Sequence, residues 1–275
     1  MTTPTSTAHT GKNIQSNITG EMNWKNENVF SIDDVTFVVE VGEALYDAAS
    51  GEERFVIGKS RRQLETIKNL HYEKRVSRIC DLGIYKGGSV MFYYKLFSPE
   101  KIVAIDLSGD RVKPLDAYVK KKGLDHVIRT YYGVDQSNEK AVKKILISEM
   151  ANHAFDMVVD DASHLLHQTR TSFNLLFPYL APGGYYIIED WGWAHWKHKE
   201  WQENGGPRPD EPPLSNLVFE LTMLLASRPD LIESVYLLPA YAVIKKGRGR
   251  IGNDPGSFDL SSAYLNRGRK IRLLD

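Results

Sequence analysis

Two short stretches place acids where acids are costly. Asp160 to His164 reads DDASH and closes the apolar run AFDMVVDDA, and Ile187 to Trp191 reads IIEDW and closes the run YYIIEDW. Carboxylates at the tips of neighbouring strands repel one another and resist leaving water. Something must offset that cost, or the pairs are not neighbours. The histidine beside the first pair adds a group that takes up and releases a proton near neutral pH, which makes His164 a candidate general base. Adjacent residues of a strand point to opposite faces, so Asp160 and Asp161 are not expected to share one ion. Asp161 is the better choice, because D-x-x-H joins it to His164. The same objection meets Glu189 and Asp190 unless the backbone turns there.

A second pattern lies upstream. The stretch DLGIYKGGS follows the apolar run VSRIC and puts Gly83, Gly87 and Gly88 in one turn, with Asp81 before them and Ser89 after them. Glycine lets a backbone approach a ligand with no Cβ in the way. The spacing is G-x-x-x-G-G and not the G-x-G-x-x-G of a pyrophosphate cradle. Asp81 at the strand tip can hold an ammonium. Asp106, which ends the next apolar run KIVAID, can accept from two ribose hydroxyls. An acid in the first turn suits a cationic, phosphate-free nucleoside better than a dinucleotide, and S-adenosylmethionine is such a ligand.

These residues need elements to carry them. Apolar runs VSRICDLG, KIVAIDLS, VIRTYYGVD, AFDMVVDDA and YYIIEDW read as strands. Amphipathic stretches SVMFYYKLF, RVKPLDAYVKKKG, NEKAVKKILISEMA and HQTRTSFNLLFPYL read as the helices between them. That alternation predicts an α/β fold, a parallel sheet covered on both faces, with ligands at the carboxyl ends of the strands. One rim should then carry Asp81, Asp106, Asp135, Asp160, Asp161, Glu189 and Asp190. A further helix starts at Ser60, in SRRQLETIKNLHY. The stretch DVTFVVEVGEALYDAA fits a strand or a helix. Residues 1–30 read as a flexible leader and 31–275 as one domain with a Trp-rich lid loop at about 191–214. LSNLVFELTMLLASRP reads as a helix, and IESVYLLP with YAVIKKG as a terminal strand pair.

Composition excludes several function classes. Lysine plus arginine and aspartate plus glutamate number 35 each, so bulk charge gives no reason to expect nucleic acid or an anionic membrane. Cys80 is the only cysteine, which rules out an intrachain disulfide and a thiolate metal cluster and fits a reducing, cytoplasmic setting. No apolar stretch approaches spanning length. The NIT triplet at Asn17 matches a glycosylation sequon and is read as chance. Whether the chain forms a homo-oligomer is open.

The set ICDLGIYKGGSV, VAIDLS, FDMVVDDASH and LFPYLAPGGYYIIEDW resembles the class I S-adenosylmethionine methyltransferases. More narrowly, it resembles the metal-dependent branch that includes macrolide-sugar O-methyltransferases and the cephalosporin hydroxylase family. The resemblance spans roughly Phe55 to Trp191. It implies a Rossmann-like seven-stranded, mostly parallel sheet whose last strand is antiparallel. It implies that Asp161, Glu189 and Asp190 ligate a divalent cation and that His164 is the base. It implies a cofactor set of Asp81, Gly83, Gly87, Gly88, Ser89, Asp106, Asp135 and Asp160, with Tyr132 and Asp135 near adenine. Oxygen ligands suit Mg²⁺, with Mn²⁺ and Ca²⁺ next, and do not suit zinc.

The expected function is divalent-cation-dependent O-methylation, by S-adenosylmethionine, of a hydroxyl on a small sugar, polyketide or similar natural product. Two rivals stand beside it. A nicotinamide-dependent oxidoreductase on the same fold is disfavoured by the missing G-x-G-x-x-G. A non-catalytic, cofactor-binding accessory protein is disfavoured by the intact acids and His164. Trp191, Trp193 and Trp196 are candidates for the wall of the acceptor pocket or for pins that fix the loop to the body.

Overall fold

The computed structural model describes residues 20–70, 74–150, 153–204, 206–251 and 255–269. The chain opens with a small sheet of β1 (Asn23–Trp24), β2 (Val29–Ile32), β3 (Val35–Val39) and β4 (Arg54–Ile57), with a short helix α1 (Ala44–Asp47) between the last two. Helix α2 (Arg61–Leu70) follows. The expected alternation then runs β5 (Arg78–Leu82), α3 (Gly88–Phe97), β6 (Lys101–Asp106), α4 (Lys113–Lys122), β7 (Ile128–Tyr132), α5 (Glu139–Met150), β8 (Phe155–Asp160), α6 (Leu166–Leu176) and β9 (Leu180–Glu189). The chain continues through α7 (Lys199–Gln202), α8 (Ser215–Ser227), β10 (Ile232–Leu237), β11 (Tyr241–Lys246) and α9 (Leu260–Ala263).

The large sheet has seven strands in the order β10-β11-β9-β8-β5-β6-β7. β5 to β9 are mutually parallel where they pair, and β11 runs antiparallel to both β9 and β10. The order reverses at β5, whose neighbours are β6 and β8. That is where an open sheet of this kind leaves a crevice at its carboxyl edge. The predicted fold class is the observed one.

Strand residues alternate between two cores, as the pleat requires. Ile79, Ile102, Ala104, Met157, Val159, Tyr185 and Ile187 face one side, with α3, α4 and the small sheet packed on them. Cys80, Leu82, Val103, Ile105, Val158, Tyr186 and Ile188 face the other, under α5, α6 and α8. Helix α3 buries residues around most of its circumference because it lies between two sheets: Phe92 packs edge-on against both Phe30 and Phe37. A Cβ on Gly88 would stand 2.1 Å from the carbonyl oxygen of Val56, so glycine is what lets β4 close on the start of α3.

The small sheet revises the N-terminal reading. Residues 20–30, placed in the leader from composition, already carry β1 and the first part of β2, and Gly20 donates to the carbonyl of Leu96. Residues 1–19, with Asn17, lie outside the described residues. The ambiguous stretch DVTFVVEVGEALYDAA proves to be both forms, β3 and then α1, divided near Gly42 with its left-handed backbone. At the far end of the sheet, buried Lys246 donates to the carbonyls of Phe177, Pro178 and Leu180. These lie just beyond α6, so one ammonium donates to carbonyls that a helix end leaves without partners and ties β11 beneath it. Among the described residues no helix is long and apolar enough to cross a membrane.

Candidate active site

β8 and β9 lie side by side and end in the two acid pairs. The peptide N–H of Asp161 donates to the carbonyl of Leu82, which turns the chain over the end of β5. Gly83 makes that turn feasible, with φ +99° and a position where a Cβ would meet the Asp161 carbonyl oxygen at 2.2 Å. The glycine is needed because the protein's own backbone approaches it there.

The parity argument holds for the first pair. Asp160 points into the α5–α6 side, where it accepts from Gln136 Nε2 at 2.9 Å, Ser172 Oγ at 2.5 Å and the Tyr186 hydroxyl at 3.2 Å. Burial pushes its carboxyl up to about 6, against those donors. Asp160 was expected in the cofactor set, and the structure engages both its oxygens in this internal network. Asp161 points to the opposite side. At the second pair the backbone does turn: Asp190 adopts φ +51° and donates its N–H to the Ala240 carbonyl, so its side chain leaves the strand's alternation.

Asp161, His164 and Asp190 converge. Each offers a donor atom within 4.8 Å of the others, and His164 Nε2 lies 3.8 Å from Asp161 Oδ1. Opposite donors on a magnesium ion stand about 4.2 Å apart, so carboxylate oxygens of Asp161 and Asp190 at this spacing fit a divalent cation after a small closure, with the imidazole beside it. Burial, followed by the charge of Asp161, pushes the Asp190 carboxyl up.

The resemblance makes Glu189 a third ligand. It is buried and bonded to Lys59, whose Nζ lies 2.6 Å from Glu189 Oε1 and 2.6 Å from Asp161 Oδ2. Lys59 is 2% exposed. Burial alone would lower its pKa, but Asp161 and Glu189 outweigh that and hold the ammonium well above its ordinary range. Sequence reading missed Lys59, because a single lysine after the apolar run RFVIG has no partner at a recognisable spacing.

His164 is held in an uncommon conformation. Its φ is +56°, a left-handed backbone that costs about 1 kcal/mol or more in a residue with a Cβ. Three neighbours fix it. Trp193 Nε1 donates to the His164 carbonyl at 2.9 Å, Arg208 donates to the Ser163 carbonyl at 3.0 Å, and Ser163 N–H donates to Gln136 Oε1 at 3.0 Å. The tryptophan loop is therefore folded onto the site. Trp193 is buried and Trp196 meets Trp201 edge-on with ring centres 4.9 Å apart. Trp191 Nε1 donates to Leu238 O, and His195 Nε2 meets Ser215 Oγ.

The other expected residues lie at or just after the carboxyl ends of β5, β6 and β7. Asp81 is fully buried and accepts from Ser89 Oγ at 2.7 Å, while its Oδ1 has no hydrogen-bond partner. Burial pushes this carboxyl up to about 7. A buried carboxylate oxygen without a donor is the feature an ammonium-bearing ligand would satisfy. Gly87 caps α3 with φ +80°. Asp106 accepts from the N–H groups of Ile84, Tyr85 and Ser108, so it shapes the glycine turn as well as facing a cavity of about 540 Å³. Tyr85, Ser108 and Arg111 share that cavity. Asp135 accepts from Ser137 through both N–H and hydroxyl, at the turn after β7. Tyr132 accepts from Val112 N–H beneath the Arg111 guanidinium.

Residues 80–191 match the family model described as a methyltransferase domain.

The matched segment begins in β5 and ends just past β9, so it contains the glycine turn and both acid pairs. Over 133 residues, 46% of this chain and 30% of the relative, the protein is 32% identical to the mycinamicin VI 2''-O-methyltransferase of Micromonospora griseorubida. It is 31% identical over 134 residues to the demethylmacrocin O-methyltransferase of Streptomyces fradiae, with the same coverage. The match thus spans about a third of the length of these curated relatives. An SAH-bound methyltransferase from Podospora anserina superposes with a TM-score of 0.50 at 17% identity, covering 68% of this chain and 79% of that one, which shows the fold. Lys59 lies ahead of the matched segment, and Arg208 lies beyond it.

Proposed function

We propose that the protein is an S-adenosylmethionine-dependent O-methyltransferase that uses a divalent cation and acts on a hydroxyl of a small natural product such as a sugar or polyketide. The observation that carries this reading is the meeting of Asp161, His164 and Asp190 at the carboxyl ends of β8 and β9, one strand from the unpartnered oxygen of Asp81. The relatives' names, sugar and macrolide O-methyltransferases, supply the substrate class.

When bound, S-adenosylmethionine supplies an electrophilic methyl group, and the cation supplies a Lewis acid that acidifies an acceptor hydroxyl. Asp81 would hold the cofactor's ammonium, with the turn of Gly83, Gly87, Gly88 and Ser89 beside it and Asp106 toward the ribose. Asp161 and Asp190 would hold Mg²⁺, or Mn²⁺ or Ca²⁺ in its place. His164 takes the acceptor's hydroxyl proton at Nε2, the nitrogen nearest Asp161. Trp193 and Arg208 keep that imidazole aimed by gripping the backbone on either side of it. Methyl transfer needs little covalent help once the partners are aligned, so orientation and charge account for most of the rate.

The test is transfer of a labelled methyl group to a panel of glycosylated macrolides and other diol-bearing sugars. Product should form with Mg²⁺ and disappear in EDTA. Transfer that is indifferent to chelators across the panel would overturn the cation, and protection by NAD(H) alone in a nucleotide screen would overturn the reaction class.

A further inference from the structure

Gln136 reaches from one part of the site to another. It lies in the turn after β7, with β5 and β6 between that strand and β8 in the sheet. It is 5% exposed and uses both ends of its amide. Oε1 accepts from the Ser163 N–H at 3.0 Å, while Nε2 donates to Asp160 Oδ1 at 2.9 Å and to Ser172 Oγ at 3.0 Å. The amide thus grips the chain on both sides of Asp161 and Ala162, one residue short of His164. The turn that carries Gln136 is itself pinned to the crevice wall. Gly133 N–H donates to the Ser108 carbonyl at 2.8 Å, and Val134 N–H donates to the Asp106 carbonyl at 2.9 Å. Asp106 and Ser108 line the cavity of about 540 Å³.

We propose that Gln136 is a positioning residue for His164, fixing the loop that carries the imidazole against the wall of the cofactor crevice. The proposal rests on His164 as the base in the reading above. A residue at φ +56° needs restraints to keep that backbone. Trp193 and Arg208 supply two from the segment after β9, and Gln136 supplies one from the turn after β7. An amide suits the position because the Ser163 N–H needs an acceptor and the Asp160 carboxylate needs a donor. Ser172 gives a natural comparison, since it also donates to Asp160 and makes no bond to Ser163. A misplacement of about 1 Å at a reacting group can cost about 100-fold in rate, so a loose loop should show in turnover before it shows in cofactor binding.

The experiment compares two variants of the full chain. Gln136→Met keeps the side chain's length and loses both polar ends, whereas Ser172→Ala takes a donor from the same acid and leaves Ser163 alone. Both should lower the melting temperature, by about 3–6 °C, because buried hydrogen bonds are lost. Only Gln136→Met should lower kcat, about tenfold or more, with S-adenosylhomocysteine affinity by calorimetry within about threefold of wild type. Ser172→Ala should keep kcat within about threefold. On a His164→Gln background, Gln136→Met should change kcat by less than about threefold, because the group it aims is already gone. Hydrogen exchange needs no acceptor: amides of residues 161–165 should exchange about tenfold faster or more in Gln136→Met and stay near wild type in Ser172→Ala. If Gln136→Met yields no folded protein, Gln136→Asn, whose amide is too short to span Asp160 and Ser163, should show the same selective loss.

The proposal is overturned if Ser172→Ala lowers kcat as much as Gln136→Met does, if the loss persists in full on the His164→Gln background, or if cofactor affinity falls in step with kcat. Exchange at 161–165 that is no faster in Gln136→Met would overturn it as well. A wild type that transfers no methyl group to any acceptor, while 161–165 loosens as stated, would overturn the reaction proposed above and leave Gln136 supported as the tie that fixes the loop of His164.

Discussion

The indole of Trp193 donates to the main-chain carbonyl of His164 at 2.9 Å. A tryptophan from the segment after β9 thereby fixes the backbone of the residue read as base. Because that backbone is left-handed, it relaxes when its restraints are removed. Trp193→Phe keeps a buried aromatic ring but loses the donor and part of the ring's volume. It should cost about 1 kcal/mol of stability and lower kcat about tenfold or more, with KM for the cofactor little changed. Thermal melting and steady-state kinetics check this, and an unaltered kcat would show that the clamp does not serve catalysis.

His164→Gln tests the base directly. The amide keeps polarity and comparable size but accepts no proton. We expect kcat to fall by about 10²–10⁴-fold while cofactor affinity, measured separately by calorimetry, stays near normal. A rate within a few-fold of wild type would remove His164 from the proton transfer.

Asp81 should make both stability and cofactor binding depend on pH. Its folded-state carboxyl is raised from 3.8 to about 7 by burial. Between about pH 4 and 7 the folded chain keeps a proton that the unfolded chain has lost, so the stability of the unliganded protein falls as pH rises through that window. An ammonium brought to the unpartnered Oδ1 favours the ionised form. Binding of S-adenosylhomocysteine at pH 6.5 should then release up to one proton, measured by calorimetry in buffers of different ionisation enthalpy. Asp81→Asn should abolish the release and weaken binding. Equal heats in all buffers would place the cofactor's amino group elsewhere.

Asp160 separates a structural acid from a cofactor-binding one. Asp160→Ala leaves the Gln136 and Ser172 donors without their acceptor, with Tyr186 beside them, in a buried pocket. It should cost about 3 kcal/mol of stability, read from denaturant melts. Cofactor affinity of the folded fraction should stay within about threefold. A selective loss of cofactor binding with stability intact would return Asp160 to the crevice.

The parts of this fold legible from sequence were those with a strong period. β5, β6, β8 and β9 are buried on both faces, so each reads as a nearly unbroken run, and α4, α5 and α6 carry one apolar stripe. That was enough to order the rim acids and to bring Asp161 beside His164. The small sheet was hidden because its strands are short and interrupted, and because its partner α3 is buried around most of its surface and shows no polar face. The glycine turn was found for a reason only part of which the structure carries: at Gly83 and Gly88 it is the chain's own carbonyls, from Asp161 and Val56, that leave no space for a Cβ. Asp106 and Asp135 sit where expected, yet backbone N–H groups already engage their carboxylates. Lys59, Trp193 and Arg208 act across long stretches of sequence, and no local pattern records such partners.

The small sheet has one more effect, which follows from where the family match begins. That match starts at Cys80, while the ammonium closest to the two acid pairs sits upstream, two residues past the strand that closes over α3. A version of the chain trimmed to the matched boundaries would keep every residue that looks like chemistry and discard the charge that lets two of them stand together. The N-terminal strands are thus an electrical component of the centre as well as a cover, and a domain boundary drawn from similarity alone would cut through it.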